Sequence, residues 1–298
     1  MKSTYISVII TAYDRKKFLL HAIKSAVHQT LSRMHYEIIV IKNYSDEKID
    51  NFIDKYDIKH ILMDGIMGEF LYAGLKASRG EIICFLDDDD LFAKEKLRAI
   101  YREFKYHSNL CYYHDDHIVV NEKYQKLIKK IGNSISFNLS SISVQKDIIN
   151  ADNLKKIEYN PDHFMYLSAL EANKDIVNGK KKLTYYMYHS SASHLIENDI
   201  NQIITYKKRN LELELKQFEM FSGMFSSQKS IDYIQEKIID LEIDYYIFYG
   251  NKKPMNPIII FKKSDRPFYA RLEIFMLYSL VRLHGSFRSL VIRMLLKY

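Results

Sequence analysis

Four consecutive carboxylates, Asp87, Asp88, Asp89 and Asp90, follow directly on the apolar run Ile82-Ile83-Cys84-Phe85-Leu86. Adjacent negative charges repel one another, so the cluster gains little stability by itself. A hard divalent cation reverses that balance. Carboxylate oxygens suit Mg²⁺ or Mn²⁺, and either ion also bridges the phosphates of a nucleotide. The acids stand at the carboxyl end of a strand-like run, where open α/β sheets bind their ligands. The competing reading is a solvated turn in which Asp90 or a neighbour caps the following helix.

The segments before and after the acids alternate in period. Tyr5–Thr11 and Tyr36–Ile41 are β-branched, strand-like runs. Between them, Lys16–Gln29 sets Phe18, Ala22, Ile23, Ala26 and Val27 on one helical face. Glu47–Tyr56 reads as a helix, His60–Met63 as a strand, Glu69–Ser78 as a helix, Glu81–Leu86 as a strand and Lys94–Tyr106 as a helix. This alternation predicts a mixed, mostly parallel sheet flanked by helices, an α/β fold. Cys111–His114 and His117–Val120 read as two short strands, with Asp115 and Asp116 in a hairpin turn between them. From Ile142 the pattern is irregular, until a helix over Asp162–Ala172 and a strand over Leu183–His189. After residue 197 long helical patterns dominate, interrupted near Gly223 and from Gly250 to Pro267. The expected domains are therefore 1–197 and 198–298, the second a mainly helical C-terminal extension.

Composition narrows the class. With 47% hydrophobic and 27% charged residues in 298, the chain is globular. Its two cysteines, Cys84 and Cys111, lie in apolar runs and read as small buried hydrophobes rather than a disulfide. The N-terminus lacks the layout of a signal peptide, and no window reaches about 18 uninterrupted apolar residues. The net charge is +7. Between Lys252 and Lys297 ten Lys and Arg face only Asp265 and Glu273, so the basicity belongs to the tail. Arg271, Arg282, Arg288 and Arg293 punctuate an apolar stretch there, the pattern of a basic amphipathic helix at an anionic membrane surface. A helix packed on the protein itself is the alternative.

The first ninety residues resemble the family 2 inverting glycosyltransferases of GT-A fold. Ser7–Arg15 (SVIITAYDR) resembles the family's opening strand and loop, and Ala22–Thr30 (AIKSAVHQT) its first helix end. Glu37–Val40 is similar to the second strand. Gly74–Ile83 followed by Phe85–Asp90 is similar to the helix, turn and D-x-D strand. The likeness is good over residues 5–106, loose over 107–195 and absent from the tail. Two places depart from the pattern. Lys42-Asn43-Tyr44-Ser45 stands where the family commonly has DDGS, a version similar to an archaeal branch. Tyr72-Ala73-Gly74 stands where an Arg-Asn pair is usual.

The resemblance implies an inverting hexosyltransferase-like enzyme. It would move a sugar from a nucleotide-sugar donor to a glycan or lipid-linked hydroxyl, with Mn²⁺ or Mg²⁺. It implies Asp89 as direct metal ligand, with Asp87 and Asp88 sharing ribose and metal contacts. Thr11, Tyr13, Arg15 and Asn43 would line the donor. Tyr13 would stack on the base, and the Asn43 amide could pair with a base edge. Lys42 or Arg15 would supply positive charge to the pyrophosphate. Asp162 would be the general base for the acceptor hydroxyl, and otherwise caps its helix after Pro161; Asp115 or Asp116 is the fallback base. His189 would approach the metal and diphosphate. Such an enzyme is expected in the cytoplasm, peripheral on the inner face of the cell membrane, without a nucleic-acid partner. The rivals are a non-catalytic membrane- or nucleic-acid-binding protein on a degenerate GT-A fold, and a nucleotidyltransferase. The second would show a Gly-rich phosphate loop, and Thr11-Ala12-Tyr13-Asp14 has none.

Overall fold

A computed structural model describes residues 5–126, 138–188, 200–250, 268–283 and 291–292. The chain divides into two compact units, Met1–His194 and Leu195–Tyr298. The first holds an eight-stranded sheet in the order β3-β2-β1-β4-β7-β6-β8-β5. Its strands are β1 (Ile6–Ala12), β2 (Tyr36–Lys42), β3 (Lys59–Leu62), β4 (Ile82–Asp87), β5 (Leu91–Phe92), β6 (Leu110–Val120), β7 (Ile142–Gln145) and β8 (Asp175–Met187). Strands β3, β2, β1 and β4 are mutually parallel, and β7 is antiparallel to both β4 and β6. Helices α1 (Lys16–Val27), α2 (Glu47–Lys55), α3 (Met67–Ala77) and α4 (Lys96–Tyr106) follow the first strands in turn, and α5 (Ala151–Leu154) and α6 (Pro161–Ala172) precede β8.

Hydrophobic patterning explains the sheet's centre. Every residue of β1 and β2 is buried, as expected for parallel strands covered on both faces. Close packing of α3 depends on Gly74, where a Cβ would lie 2.6 Å from Ile9 Cγ2. Register then brings the functional ends together. Thr11 of β1 stands opposite Asp87 of β4, and Ala12 opposite Lys42 of β2. Cys84 and Cys111 are both free and buried.

Three expectations change. Asp115 and Asp116 do not form a hairpin turn; β6 runs through them, with register shifts against β8 at Asp116. The stretch after Ile142 is ordered: β7 inserts between β4 and β6, too short for its own periodicity to show. The last strand starts at Asp175, not Leu183, because its first half is exposed and carries Lys180, Lys181 and Lys182 while pairing with β6.

In the second unit, α7 (Ile200–Ser222), α8 (Gln228–Tyr249) and α9 (Phe268–Leu283) are the main helices among the described residues. Leu277, Tyr278 and Val281 of α9 are buried in a core with Leu211, Ile243, Tyr246 and Ile247. Those side chains therefore pack within the unit, as in the packed-helix alternative, while Leu272 and Met276 remain exposed. Among the described residues, no helix is long and apolar enough to cross a membrane. Most of the basic tail lies outside them.

Candidate active site

The carboxyl ends of β1, β2 and β4 form one rim, at the point where the strand order reverses about β1. The β1 loop turns through Asp14, whose φ of 55° is left-handed, a conformation Asp tolerates better than most residues. Asn43 pins that turn: its Oδ1 accepts from Asp14 N at 2.9 Å, and its Nδ2 donates to Asp14 Oδ1 at 2.8 Å. One side of the Asn43 amide thus faces the loop. Lys42 is buried and bound to Asp50 (2.8 Å) and the Tyr44 carbonyl (2.7 Å). It braces the β2 loop on α2.

Arg15 is the cation at the acids. Its guanidinium pairs with Asp88 through Nη2 and with Asp89 through Nη1 at 2.7 Å. The Tyr44 hydroxyl donates to the Arg15 carbonyl at 2.7 Å and fixes the loop from the β2 side. Tyr13, 53% exposed, lies edge-on to Phe70 with centroids 5.9 Å apart, leaving much of its ring open to a planar ligand. Thr11, near the end of β1, is buried.

Each aspartate has a different environment. Burial, and then the Asp89 charge, push Asp87 up to about 7 against the opposing pull of Arg15; Asp162 adds to the rise. Burial and Asp89 likewise push Asp88 to about 8 despite Arg15. Asp90 is held well above the ordinary carboxylate range by burial and then by Asp89 and Asp87. It does not cap the next helix, which starts at Lys96 after Glu95. Instead Asp90 Oδ1 accepts from Met187 N at 2.9 Å, tying the acid run to the end of β8. The intervening strand β5 carries the chain past capping range. Burial, and then Asp90, Asp89 and Asp87, raise the Tyr186 phenol.

Asp162 occupies the first turn of α6, after Pro161, and is partly buried. Its Oδ1 accepts from His163 N at 2.9 Å, and burial pushes the carboxyl up to about 6. Its charge adds to the rise of the Asp87 carboxyl. The fallback acids stand in β6. Asp115 is fully buried against Lys96 at 2.5 Å, and Asp116 points toward Lys182 at 3.8 Å. His189 lies outside the described residues.

Among the described residues, no three His, Cys, Asp or Glu side chains converge as a metal cage. The donor chemistry nonetheless fits a hard cation shared with a ligand. Asp87, Asp88 and Asp89 stand together, with Arg15 as the cation paired to two of them. Mg²⁺ is commonly held this way, by one or two carboxylates plus substrate phosphates.

A buried polar network beneath the acids was not visible in the sequence. Lys96 Nζ donates to Asp115, to the Ser140 carbonyl at 2.7 Å and to Thr184 Oγ1 at 2.8 Å. Its one signal is spacing, since Lys96 shares the buried face of α4 with Leu97, Ile100 and Phe104.

Residues 7–171, more than half of the chain, match the family described as Glycosyl transferase family 2. An uncharacterized glycosyltransferase of Rickettsia conorii is 36% identical over 129 residues, 41% of this chain and 21% of that protein. The chain spans about a fifth of the length of the Rickettsia relatives it matches. The poly(ribitol-phosphate) beta-N-acetylglucosaminyltransferase TarP of Staphylococcus aureus is 23% identical over 276 residues, 90% of this chain and 70% of that protein. The crystal structure of S. aureus TarS 1–349 in complex with UDP-GlcNAc has a TM-score of 0.56 at 16% identity, covering 97% of this chain and 86% of that one. A second crystal structure of TarS 1–349 gives 0.58 at 15% identity, with the same coverage. At such identity the likeness is one of fold, and it agrees with the expected GT-A architecture. These relatives are bacterial and lend the archaeal resemblance no support.

Proposed function

The chain belongs to Glycosyl transferase family 2, and from that premise we propose that it transfers a sugar from a UDP-sugar to an acceptor hydroxyl with inversion at the anomeric carbon. The observation that carries this reading is the pairing of Arg15 with Asp88 and Asp89 at the carboxyl rim of the sheet, where Asp87 ends β4 opposite Thr11. UDP-GlcNAc is the first donor to test, because TarS binds it. The acceptor is a hydroxyl on a glycan or a polyol-phosphate polymer, the latter suggested by the name of TarP. A lipid-linked acceptor would suit the basic tail, the part of the chain fitted to an anionic surface.

In this reading the open face of Tyr13 stacks on the base, and Asp87 and Asp88 hold the ribose side of the donor. Arg15 exchanges its carboxylate partners for diphosphate oxygens. Asp89, with Asp87, would hold Mn²⁺ or Mg²⁺. When bound, that ion supplies charge neutralisation for the leaving diphosphate. Asp162 accepts the proton of the acceptor hydroxyl. The hydroxyl oxygen then forms its bond to the anomeric carbon from the face opposite the nucleotide. The bond from that carbon to the diphosphate oxygen breaks, and its electron pair leaves with UDP. A carboxyl near 6 suits this work, being ionised at neutral pH yet more basic than an ordinary aspartate.

Titration calorimetry against a panel of nucleotide sugars with Mn²⁺, followed by transfer assays, tests the proposal. Saturable UDP-sugar binding that depends on the metal supports it. Binding of no nucleotide sugar would overturn it.

A further inference from the structure

The geometry points to Lys96 as a positioning residue for the transfer reaction, acting on the acid run through Ser140. Lys96 and its partner Asp115 are both fully buried. All three ammonium hydrogens have acceptors: Asp115 Oδ2 at 2.5 Å, the Ser140 carbonyl at 2.7 Å and Thr184 Oγ1 at 2.8 Å. Thr184 donates in turn to Asp115 Oδ1 at 2.7 Å. The ammonium thus joins α4, β6, β8 and the 139–141 turn at one point.

Stability alone is a poor reason for this arrangement. A buried ion pair often contributes no more than apolar side chains of equal volume. Lys96 also stands at the first turn of α4, where the helix dipole disfavours a cation. What the network does reach is the acid run. Ser140, fully buried, accepts from Lys96 through its carbonyl and from Asp87 N through its hydroxyl oxygen, at 3.0 Å. Asn138 fixes the same turn, its Oδ1 accepting from Ser141 N at 2.9 Å. At the other end, β8 runs from Thr184 to Met187, whose N–H holds Asp90. Lys96 therefore anchors elements that grip the acid run at both Asp87 and Asp90. This rests on the reading of Asp87–Asp89 as the donor site. Lys96 itself touches no substrate.

The test uses the full chain, with UDP-GlcNAc and Mn²⁺ as probes. Lys96→Met alone would strand the Asp115 charge, so it is combined with Asp115→Asn, a neutral pair of similar volume. Ser140→Ala removes the hydroxyl at Asp87 N and leaves the ion pair in place. The neutral pair and Ser140→Ala should each weaken donor binding about tenfold while near-native circular dichroism is kept, a size typical of groups that orient ligating residues. Combined, they should cost clearly less than about a hundredfold, because the route through Ser140 to Asp87 is common to both. A purely structural role would leave donor affinity in the folded variants unchanged, or give additive losses, and either result overturns the proposal. If the neutral pair fails to fold, wild-type affinity in Ser140→Ala overturns it. If the wild-type chain binds no nucleotide sugar with Mn²⁺, the donor-site reading itself fails and takes this inference with it.

Discussion

Asp162→Asn should remove transfer and, at the same time, stabilise the protein. The two effects share one cause. Burial raises the carboxyl from its ordinary 3.8 to about 6, so the folded protein holds that charge at a cost. The difference corresponds to about 3 kcal/mol as an upper bound, and partial exposure reduces it to about 1–2 kcal/mol. The sign follows from linkage. The folded value lies above the unfolded one, so the penalty from Asp162 is absent below pH 3.8 and grows as pH rises through 6. Asn keeps the Oδ1 acceptor for His163 N but carries no charge. Urea unfolding should therefore find the variant more stable than wild type at pH 8 and equal to it near pH 4, with the gap opening between. Transfer by the variant should drop by about 10²–10⁴-fold, the usual contribution of a positioned base. Donor affinity should be kept. In wild type, kcat/KM for the acceptor should fall about fivefold between pH 6 and pH 5, as the base takes up its proton. Wild-type turnover in the variant would exclude the base role. A variant less stable than wild type at pH 8 would show that the carboxylate serves its helix rather than the reaction.

Three further outcomes are expected. Asp89→Asn should weaken Mn²⁺-dependent binding of UDP-GlcNAc by at least tenfold in calorimetry, with circular dichroism unchanged; equal affinity would remove Asp89 from the metal site. Arg15→Gln should tighten Mn²⁺ binding in the absence of nucleotide, because Asp88 and Asp89 lose a competing cation, and should weaken UDP-GlcNAc binding in its presence. Unchanged Mn²⁺ affinity would show that the guanidinium and the metal do not share those oxygens. Replacing Arg282, Arg288 and Arg293 by Gln should reduce sedimentation with anionic vesicles at low salt; no binding by the wild-type chain would end the membrane reading. Substitution is preferred to truncation, since α9 contributes Leu277, Tyr278 and Val281 to its unit's core.

Much of the parallel half of the fold was legible because burial on both faces writes itself as unbroken apolar runs. β1 and β2 are of this kind, and the acids stand out where β4 ends. The antiparallel half was harder to read. β5 has two residues and β7 four, too few for a period of two to declare itself. β8 begins in an exposed, lysine-rich stretch that is a strand only because β6 lies beside it. The polar pair Asp115-Asp116 suggested a turn for the same reason: the partner that makes Asp115 acceptable inside a sheet is 19 residues earlier in the chain.

The site divides along the same line. Asp87–Asp89 stood out as like charge at a strand end, and Arg15 through the resemblance of SVIITAYDR to the family's opening loop. Their supports did not, because each looks ordinary alone. Lys96 reads as a solvated helical lysine, Ser140 as a loop serine and Thr184 as a strand residue. Only their meeting, across 44 and 88 positions of sequence, makes a buried ammonium with every hydrogen engaged. A sequence read locally can thus locate the groups that would meet a donor, whereas the groups that aim them become visible only once the chain is folded. That asymmetry explains the misreading of Asp90. Its charge marked it as part of the run, but its partner, the Met187 N–H, lies 97 residues away, and no local rule distinguishes that bond from a helix cap.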